Sequence, residues 1–542
     1  MFRLASIGLF ASVLSAQPFI YRHGVLNAAS FMAPGAPGGA IAQGALFSIF
    51  GSGLGPDSAI SASSYPLQTN LAGVTVKVST GGMSVNAYPV FAGASQLNVI
   101  MPSNAPLGRV SVQVTYSGSS SNPAPINVVP GALGIFSVNS AGFGPGVLTN
   151  YVSSASQPVN SLQASAVPGQ VITLWGTGLG PVTGGDNVAP PAGNLKASTE
   201  VFVGGVSATV SYHGRSPCCA AEDQIVFTVP ENAPTGCYVP VLARVAGTTV
   251  SNAVTMAISS KGGACSDPAN PAAQAIAAGG NIGAIVAQRI ITSAPTTDDS
   301  VFADFRKIAS GPWAFDSVYS LPPLGTCTTY VMEGDVINGS ALLPGEASTA
   351  NVLAAGANLT AQGPGGSIQV PGPAPFGALL GGQDPAEKLT TPFFDVPGGA
   401  TFSTSGGTDV DPITANVNTP AGITWTNQNA LGTINRSKGF TVTWSGGNPA
   451  SDNAIVVGIG ENLSSNVSTV VICLADVSVN SFIVAPPFLA NLAATNLADT
   501  TTAGALFVGS LPMKKPGQFS AKGLNTGIAA FSALDALAVA FQ

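Results

Sequence analysis

The sequence predicts an all-β protein, with two tandem β-sandwiches followed by a larger β-sandwich-like C-terminal region. Three observations carry that prediction. In the first half of the chain the same motifs return in the same order after about 125 to 130 residues. Between them run short stretches dominated by β-branched residues, several alternating apolar and polar, which is the period of a half-buried strand. Glycine and proline, 66 and 42 of the 542 residues, break those stretches every 8 to 15 residues, as turns do in an all-β sandwich.

The N-terminus reads Met1, Phe2, Arg3, then an apolar stretch from Leu4 to Leu14, then Ser15-Ala16-Gln17-Pro18. One positive charge, a short apolar core and a small residue before the cut predict a secretory signal peptide over 1–16. The mature protein is therefore expected to be secreted or held at the cell surface. No later apolar run approaches the roughly 20 residues of a membrane helix, so no transmembrane helix is expected after cleavage.

The first repeat carries Gly24-Val25-Leu26, then Leu46-Phe47-Ser48-Ile49-Phe50 running into Gly51-Ser52-Gly53-Leu54-Gly55-Pro56. The second carries Gly146-Val147-Leu148, then Val171-Ile172-Thr173-Leu174-Trp175 running into Gly176-Thr177-Gly178-Leu179-Gly180-Pro181. Gln96 to Pro102 is answered by Gln224 to Pro230, and each is followed by Asn-Ala-Pro-x-Gly, at Asn104 and at Asn232. Each copy closes with Ser-Asn, Ser121-Asn122 and Ser251-Asn252, before a last apolar strand. Val74-Thr75-Val76-Lys77-Val78 and Val110-Ser111-Val112-Gln113-Val114 alternate as strands. The expected domains span 17–130 and 131–268, each the size of one sandwich.

This order of blocks resembles the immunoglobulin-like TIG (also IPT) domain. It is similar in particular to the tandem copies in secreted proteins of acidobacteria, where the first copy opens on Asn-Ala-Ala-Ser, here Asn27-Ala28-Ala29-Ser30. The cysteine pattern Cys218-Cys219, Gly236-Cys237 and Cys265-Ser266-Asp267-Pro268 resembles the same group. The resemblance covers roughly 24–268. It implies immunoglobulin-like sandwiches that serve as spacers, adhesion or ligand-contact modules, and it brings no catalytic residues.

Pro268, Pro271 and an Ala/Gly stretch through Gly283 predict a linker over 269–290, with room for a short helix, and a β-rich domain over 291–542. In that domain Phe440, Val442 and Trp444 share one face of an alternating strand. Ala454 to Ile459 and Thr469 to Leu474 are near-continuous apolar runs, suited to strands buried on both faces. This part resembles the β-rich C-terminal segments of the same secreted proteins, around Ile423 to Gln428 and Asn435 to Gly447.

Charge narrows the function classes. Only 8% of residues are charged and the net charge is −7, against roughly 25% charged in an ordinary domain. Sparse, scattered Lys and Arg give no footprint for nucleic acid. Hydrophobic residues make up 45% of the chain, enough to bury a core and to exclude ordinary disorder. Residues 17–268 hold seven basic and seven acidic side chains, while 269–542 hold nine and 17.

Six cysteines in an exported chain predict disulfides. Cys218 and Cys219 are expected to pair with Cys237 and Cys265, in an order left open, and Cys327 with Cys473. A metal site is disfavoured, because His213 is the only imidazole near them.

The chemistry-bearing residues have plain structural readings. Gly51-Ser52-Gly53-Leu54-Gly55 superficially resembles a phosphate cradle, but Pro56 follows and no amphipathic helix opens, so a turn with positive φ is expected instead. The two histidines, His23 and His213, have no nucleophile elbow beside them, and His213 is expected to cap the end of the Val206 to Tyr212 hairpin. Carboxylate pairs that could run glycoside hydrolysis are Glu222-Asp223, Asp298-Asp299, Glu333 with Asp335, and Asp409 with Asp411. They read as turn residues, with Asp409 and Asp411 the best of them for a weak Ca²⁺ site. Of the four tryptophans, Trp175 and Trp444 read as core. Trp313 and Trp425 sit in loop-like settings and are the candidate ligand-binding residues.

The sequence thus predicts a non-enzymatic structural and interaction protein, adhesion-like and without a cofactor. The two repeats would act as a stiff, neutral stalk, and the acidic C-terminal region would contact a cell-envelope component or polysaccharide. An extracellular carbohydrate-binding protein is the alternative, and a secreted hydrolase a more distant one.

Overall fold

The structure is a computed structural model that describes residues 17–293, 296–337, 351–381, 393–394, 398–420 and 422–542. The signal peptide expected over 1–16 lies outside the described residues. The architecture is all-β: tandem immunoglobulin-like β-sandwiches, then a larger set of C-terminal sheets.

In the first repeat, Phe19–Asn27 pairs with Leu46–Ser52, which pairs with Gln96–Ile100. The facing sheet is built on Val74–Thr80, Gly108–Tyr116 and Ala124–Val129. Strand alternation sends Val74, Val76, Val78, Val112 and Val114 inward, where all are fully buried against Phe47, Ile49, Leu97 and Val99 of the first sheet. Burying each such side chain stabilises by about 1.5–3 kcal/mol.

The second repeat reuses this pairing. Val171–Thr177 pairs with Asp223–Thr228, just as the corresponding strands pair in the first copy. Val206–Arg215 belongs to both of its sheets, pairing with Asp223–Thr228 on one side and with Thr199–Val203 on the other. A bulge between Val210 and Tyr212 marks the change of register, and a bulge is how a strand bends and twists locally. Trp175 is half-buried rather than sealed in the core.

The C-terminal region centres on a nine-stranded mixed sheet. Within it Asn453–Asn462 lies between Val467–Asp476 and Thr502–Leu511. A four-stranded sheet containing Gly398–Thr404 and Ile413–Thr419 packs on this one through Phe402, Val417, Phe305 and Phe376. Val442 and Trp444 lie in the central strand of a third, three-stranded sheet and are buried.

The linker expected over 269–290 is not one. Pro271–Ala278 is a helix, started by Asn270, whose side chain accepts from the Ala273 N–H, and closed at Gly279 with φ +71°. Gly280–Ser293 is then a 14-residue strand in the large sheet, antiparallel to Thr296–Ile308 and parallel to Thr526–Ala538. The small residues that look like a linker are there for close packing. A Cβ on Gly283 would come within 2.9 Å of the Phe305 ring.

The stalk expectation also changes, because the C-terminal region packs on both repeats. Phe202, Leu242, Val250 and Ala253 of the second repeat share one core with Trp425, Trp444 and Phe488. The cause lies in Gly236–Val245, where every residue but Arg244 is buried. Val239, Val241 and Ala243 face the repeat's own core, while Tyr238 and Leu242 face outward into the C-terminal packing. A strand apolar on both faces needs a cover on each. The first repeat is tied as well, by Ala33 and Ala36 against Val467 and by His23 Nδ1, 2.7 Å from Glu333 Oε1.

Candidate functional site

Loop residues of both repeats meet at the joint between them. Asn27 opens the Asn-Ala-Ala-Ser segment. Its Oδ1 accepts from the N–H groups of Ala29 at 2.9 Å and Ser30 at 3.1 Å. Its Nδ2 donates to the carbonyls of Ala132 at 3.3 Å and Thr177 at 3.2 Å, both in the second repeat. Thr177, inside Gly-Thr-Gly-Leu-Gly-Pro, accepts from the Leu46 N–H of the first repeat at 2.7 Å and donates to Ala221 O at 2.7 Å.

Beneath this loop lies a buried ion pair, Arg215 with Asp223, whose side chains are 3% and 0% exposed. Asp223 Oδ2 also accepts from Gly178 N–H at 2.6 Å and Leu179 N–H at 2.7 Å. Arg215 donates to Gly180 O at 2.7 Å and crosses the joint to Gly44 O at 2.8 Å. Burial pushes the Asp223 carboxyl above the usual range, against the pull of Arg215 and the two amides. The first-repeat turn, where positive φ is expected, takes it at Gly53, +62°, and this matching turn takes it at Gly178, +114°, and Gly180, +128°. Two of its N–H groups are thereby spent on the protein's own carboxylate. Ser103 to Asp186, Leu67 to Asn187 and Ala220 to Tyr65 add further cross-joint hydrogen bonds.

The two candidate ligand-binding tryptophans part company. Trp313 is 40% exposed. It lines a groove of about 510 Å³ with Asn139, Phe143, Lys307, Asp316 and Asn351, and its indole N–H donates to Asn160 O at 3.0 Å. Trp425 is 5% exposed. It pairs with Trp444 across adjacent strands, and its N–H is taken by Asn427 Oδ1 at 2.9 Å. Its strand folds into the core shared with the second repeat, so it presents no ring to a ligand. That expectation is corrected.

Of the remaining candidates, Asp299, Asp409 and Glu333 are structurally engaged. Asp299 is fully buried and bridges bidentately to Arg289, while accepting from Phe394 N–H. Asp409 accepts from Ala354 N–H at 2.8 Å. Among the described residues, neither Asp409 nor Asp411 belongs to a group of three His, Cys, Asp or Glu side chains close enough to share a metal. Glu333 meets His23. His213 sits inside Val206–Arg215 rather than capping it, and burial lowers its pKa.

The cysteine expectation needs one correction. Cys327 is bonded to Cys473 and Cys237 to Cys265, but Cys218 is bonded to its neighbour Cys219. The reason is placement. Cys218 and Cys219 lie in the turn beside Tyr65 and Glu222 at the repeat joint, whereas Cys237 and Cys265 pack with Tyr238 and the helix Pro271–Ala278.

Sequence reasoning missed Arg215, placed Thr177 only as part of a repeated turn, and took Asp223 only as half of a carboxylate pair. A signal existed. In a chain with 8% charged residues, an arginine and an aspartate flanking one turn are costly to bury unless paired.

No family model matches the chain, and no curated protein matches it. Among solved structures, domains 5–6 of the S-layer protein SbsC are 14% identical over 44% of this chain and 98% of that one, with a TM-score of 0.14. SGBP-B, from a xyloglucan utilization locus in Bacteroides uniformis, is 14% identical over 64% and 76%, with a TM-score of 0.15. The I9–I11 tandem from titin is 8% identical over 70% and 96%, with a TM-score of 0.12. Values this low leave the functional reading to the chain's own residues.

Proposed function

We propose that this chain is a non-enzymatic structural and interaction protein of the extracellular space or cell surface, built on tandem TIG-like modules. One observation carries the reading. Loop residues of both repeats, and the buried charges beside them, are spent on joining domains: Asn27, Thr177, Arg215 and Asp223 all bridge or brace the repeat joint. Three disulfides support a role outside the cell, and no described helix is long and apolar enough to cross a membrane.

A second reading is carbohydrate binding, favoured by the half-open Trp313 ring in a groove with amide and charged side chains. Exposed aromatic faces beside polar groups suit sugar rings. The test uses the full chain, because the C-terminal region shares a core with the second repeat. The chain is incubated with insoluble polysaccharides and with cell envelope of the producing organism, then sedimented. Retention on envelope that survives Trp313→Ala supports the structural reading. Retention on one polysaccharide, lost on Trp313→Ala, replaces it with the second. Turnover of a polysaccharide by the purified chain would overturn both.

A further inference from the structure

The Ser216 to Asp223 turn holds chemistry that the joint does not use. Cys218 and Cys219 form a disulfide between chain neighbours. The Cys218 sulfur lies 3.1 Å from the Ser216 hydroxyl and 3.9 Å from Glu222 Oε1. One ligand atom from each of Cys218, Cys219 and Glu222 lies within 4.8 Å of the other two, the one such group among the described residues. No ion pair among the described residues involves Glu222, and Arg215, at the other end of the turn, is committed to Asp223.

The turn is anchored independently of the disulfide. Arg215 and Asp223 lock its base. Ser216 N–H donates to Glu222 O at 2.8 Å, and Ala220 N–H donates to the Tyr65 hydroxyl at 2.8 Å. Opening the sulfur–sulfur bond therefore leaves both sulfurs beside the same carboxylate. Access is also selective. Cys218 is solvent-exposed, whereas Cys327, Cys473 and Cys237 are 0%, 1% and 4% exposed and Cys265 is half-buried.

We propose that Cys218, Cys219 and Glu222 form a redox-gated site, closed as the disulfide and open, once reduced, to a thiophilic divalent cation such as zinc or cadmium. The reductant is a thiol. Two R′–SH groups deliver two electrons and two protons, the Cys218–Cys219 bond breaks to two thiols, and R′–S–S–R′ leaves. Cation binding then displaces the two thiol protons to water. Two thiolates and one carboxylate supply three of the four positions of a tetrahedral zinc-type site, with the fourth open to solvent. The sulfurs need to separate only to about 3.8 Å, the edge of a tetrahedron with metal–sulfur bonds of about 2.3 Å.

The experiment treats the full chain with a limiting dithiol, removes the reductant without air, and maps the freed thiols by alkylation and mass spectrometry. Cadmium is then titrated while the ultraviolet sulfur-to-cadmium charge-transfer band is followed. The expected result is thiols at Cys218 and Cys219 first, and one cadmium bound per reduced chain with none on the oxidised chain. Glu222→Gln should keep the band but weaken affinity by about tenfold or more. The Cys218→Ser, Cys219→Ser double variant should show no band. Three results would overturn the proposal: a chain reduced at both positions that binds no cadmium, binding indifferent to Glu222→Gln, or a band that follows reduction of Cys237–Cys265 instead.

Discussion

Replacing Asp223 by alanine should be among the most damaging single changes in the second repeat. The side chain is fully buried and serves three donors: Arg215, Gly178 N–H and Leu179 N–H. Its removal leaves a guanidinium at 3% exposure without a counter-charge, and breaking a buried pair in this way costs about 3–5 kcal/mol. The two orphaned amides, each worth about 1–3 kcal/mol when left unsatisfied, push the loss toward the top of that range, although such losses do not simply add. The location matters as much as the size. Arg215 also holds Gly44 O in the first repeat, so the joint should loosen as the turn does. Urea unfolding monitored by tryptophan fluorescence, together with amide exchange at Gly178 and Leu179, reads both effects. A midpoint shift equivalent to less than about 1 kcal/mol, with exchange unchanged, would refute the clasp, since even a typical net hydrogen bond is worth about that much.

Other outcomes follow from the same geometry. Asp267 is 5% exposed, with Oδ2 lacking a hydrogen-bond partner, and burial raises its carboxyl from 3.8 to about 6. Because the folded value is the higher one, its protonated form favours folding below pH 3.8, and that stability is lost as pH rises through about 6. The full swing is about 3 kcal/mol. Asp267→Asn should flatten the stability profile across this window and stabilise the chain at pH 7, as thermal melts in a pH series will show. Asn27→Ala should cost about 2–3 kcal/mol, because it strands two amides and two carbonyls at the joint; urea midpoints measure this. Trp425→Ala should cost about 3–5 kcal/mol as a core truncation, seen as a lowered unfolding midpoint with unchanged retention on any ligand the native chain holds.

The legible part of this chain was its period. Alternation in Val74 to Val78 and Val110 to Val114 fixes which face is buried, and the repeated blocks fix which strands pair, because those features depend on neighbours in sequence. What stayed hidden depends on neighbours across the fold. Gly236–Val245 reads as one apolar run, and its length gives no hint that half of it packs against a different domain. Gly280–Ser293 begins in an Ala/Gly stretch, where composition points to a linker and packing against Phe305 demands small side chains. Trp425 and Trp313 look alike in sequence, and only the pairing of Trp425 with Trp444 tells them apart. Cys218 and Cys219 are expected to pair with Cys237 and Cys265 because all four fall within one repeat, and the tight turn between Arg215 and Asp223 that separates them is fixed by contacts across the fold.

The most direct test of the account is small-angle X-ray scattering of the full chain and of its Asp223→Ala variant. The clasp and the shared core predict that the native chain scatters as one rigid body matching the structure, and that the variant departs from it with the signature of independently moving domains. A native profile that already requires free movement between the first and second repeats would contradict it.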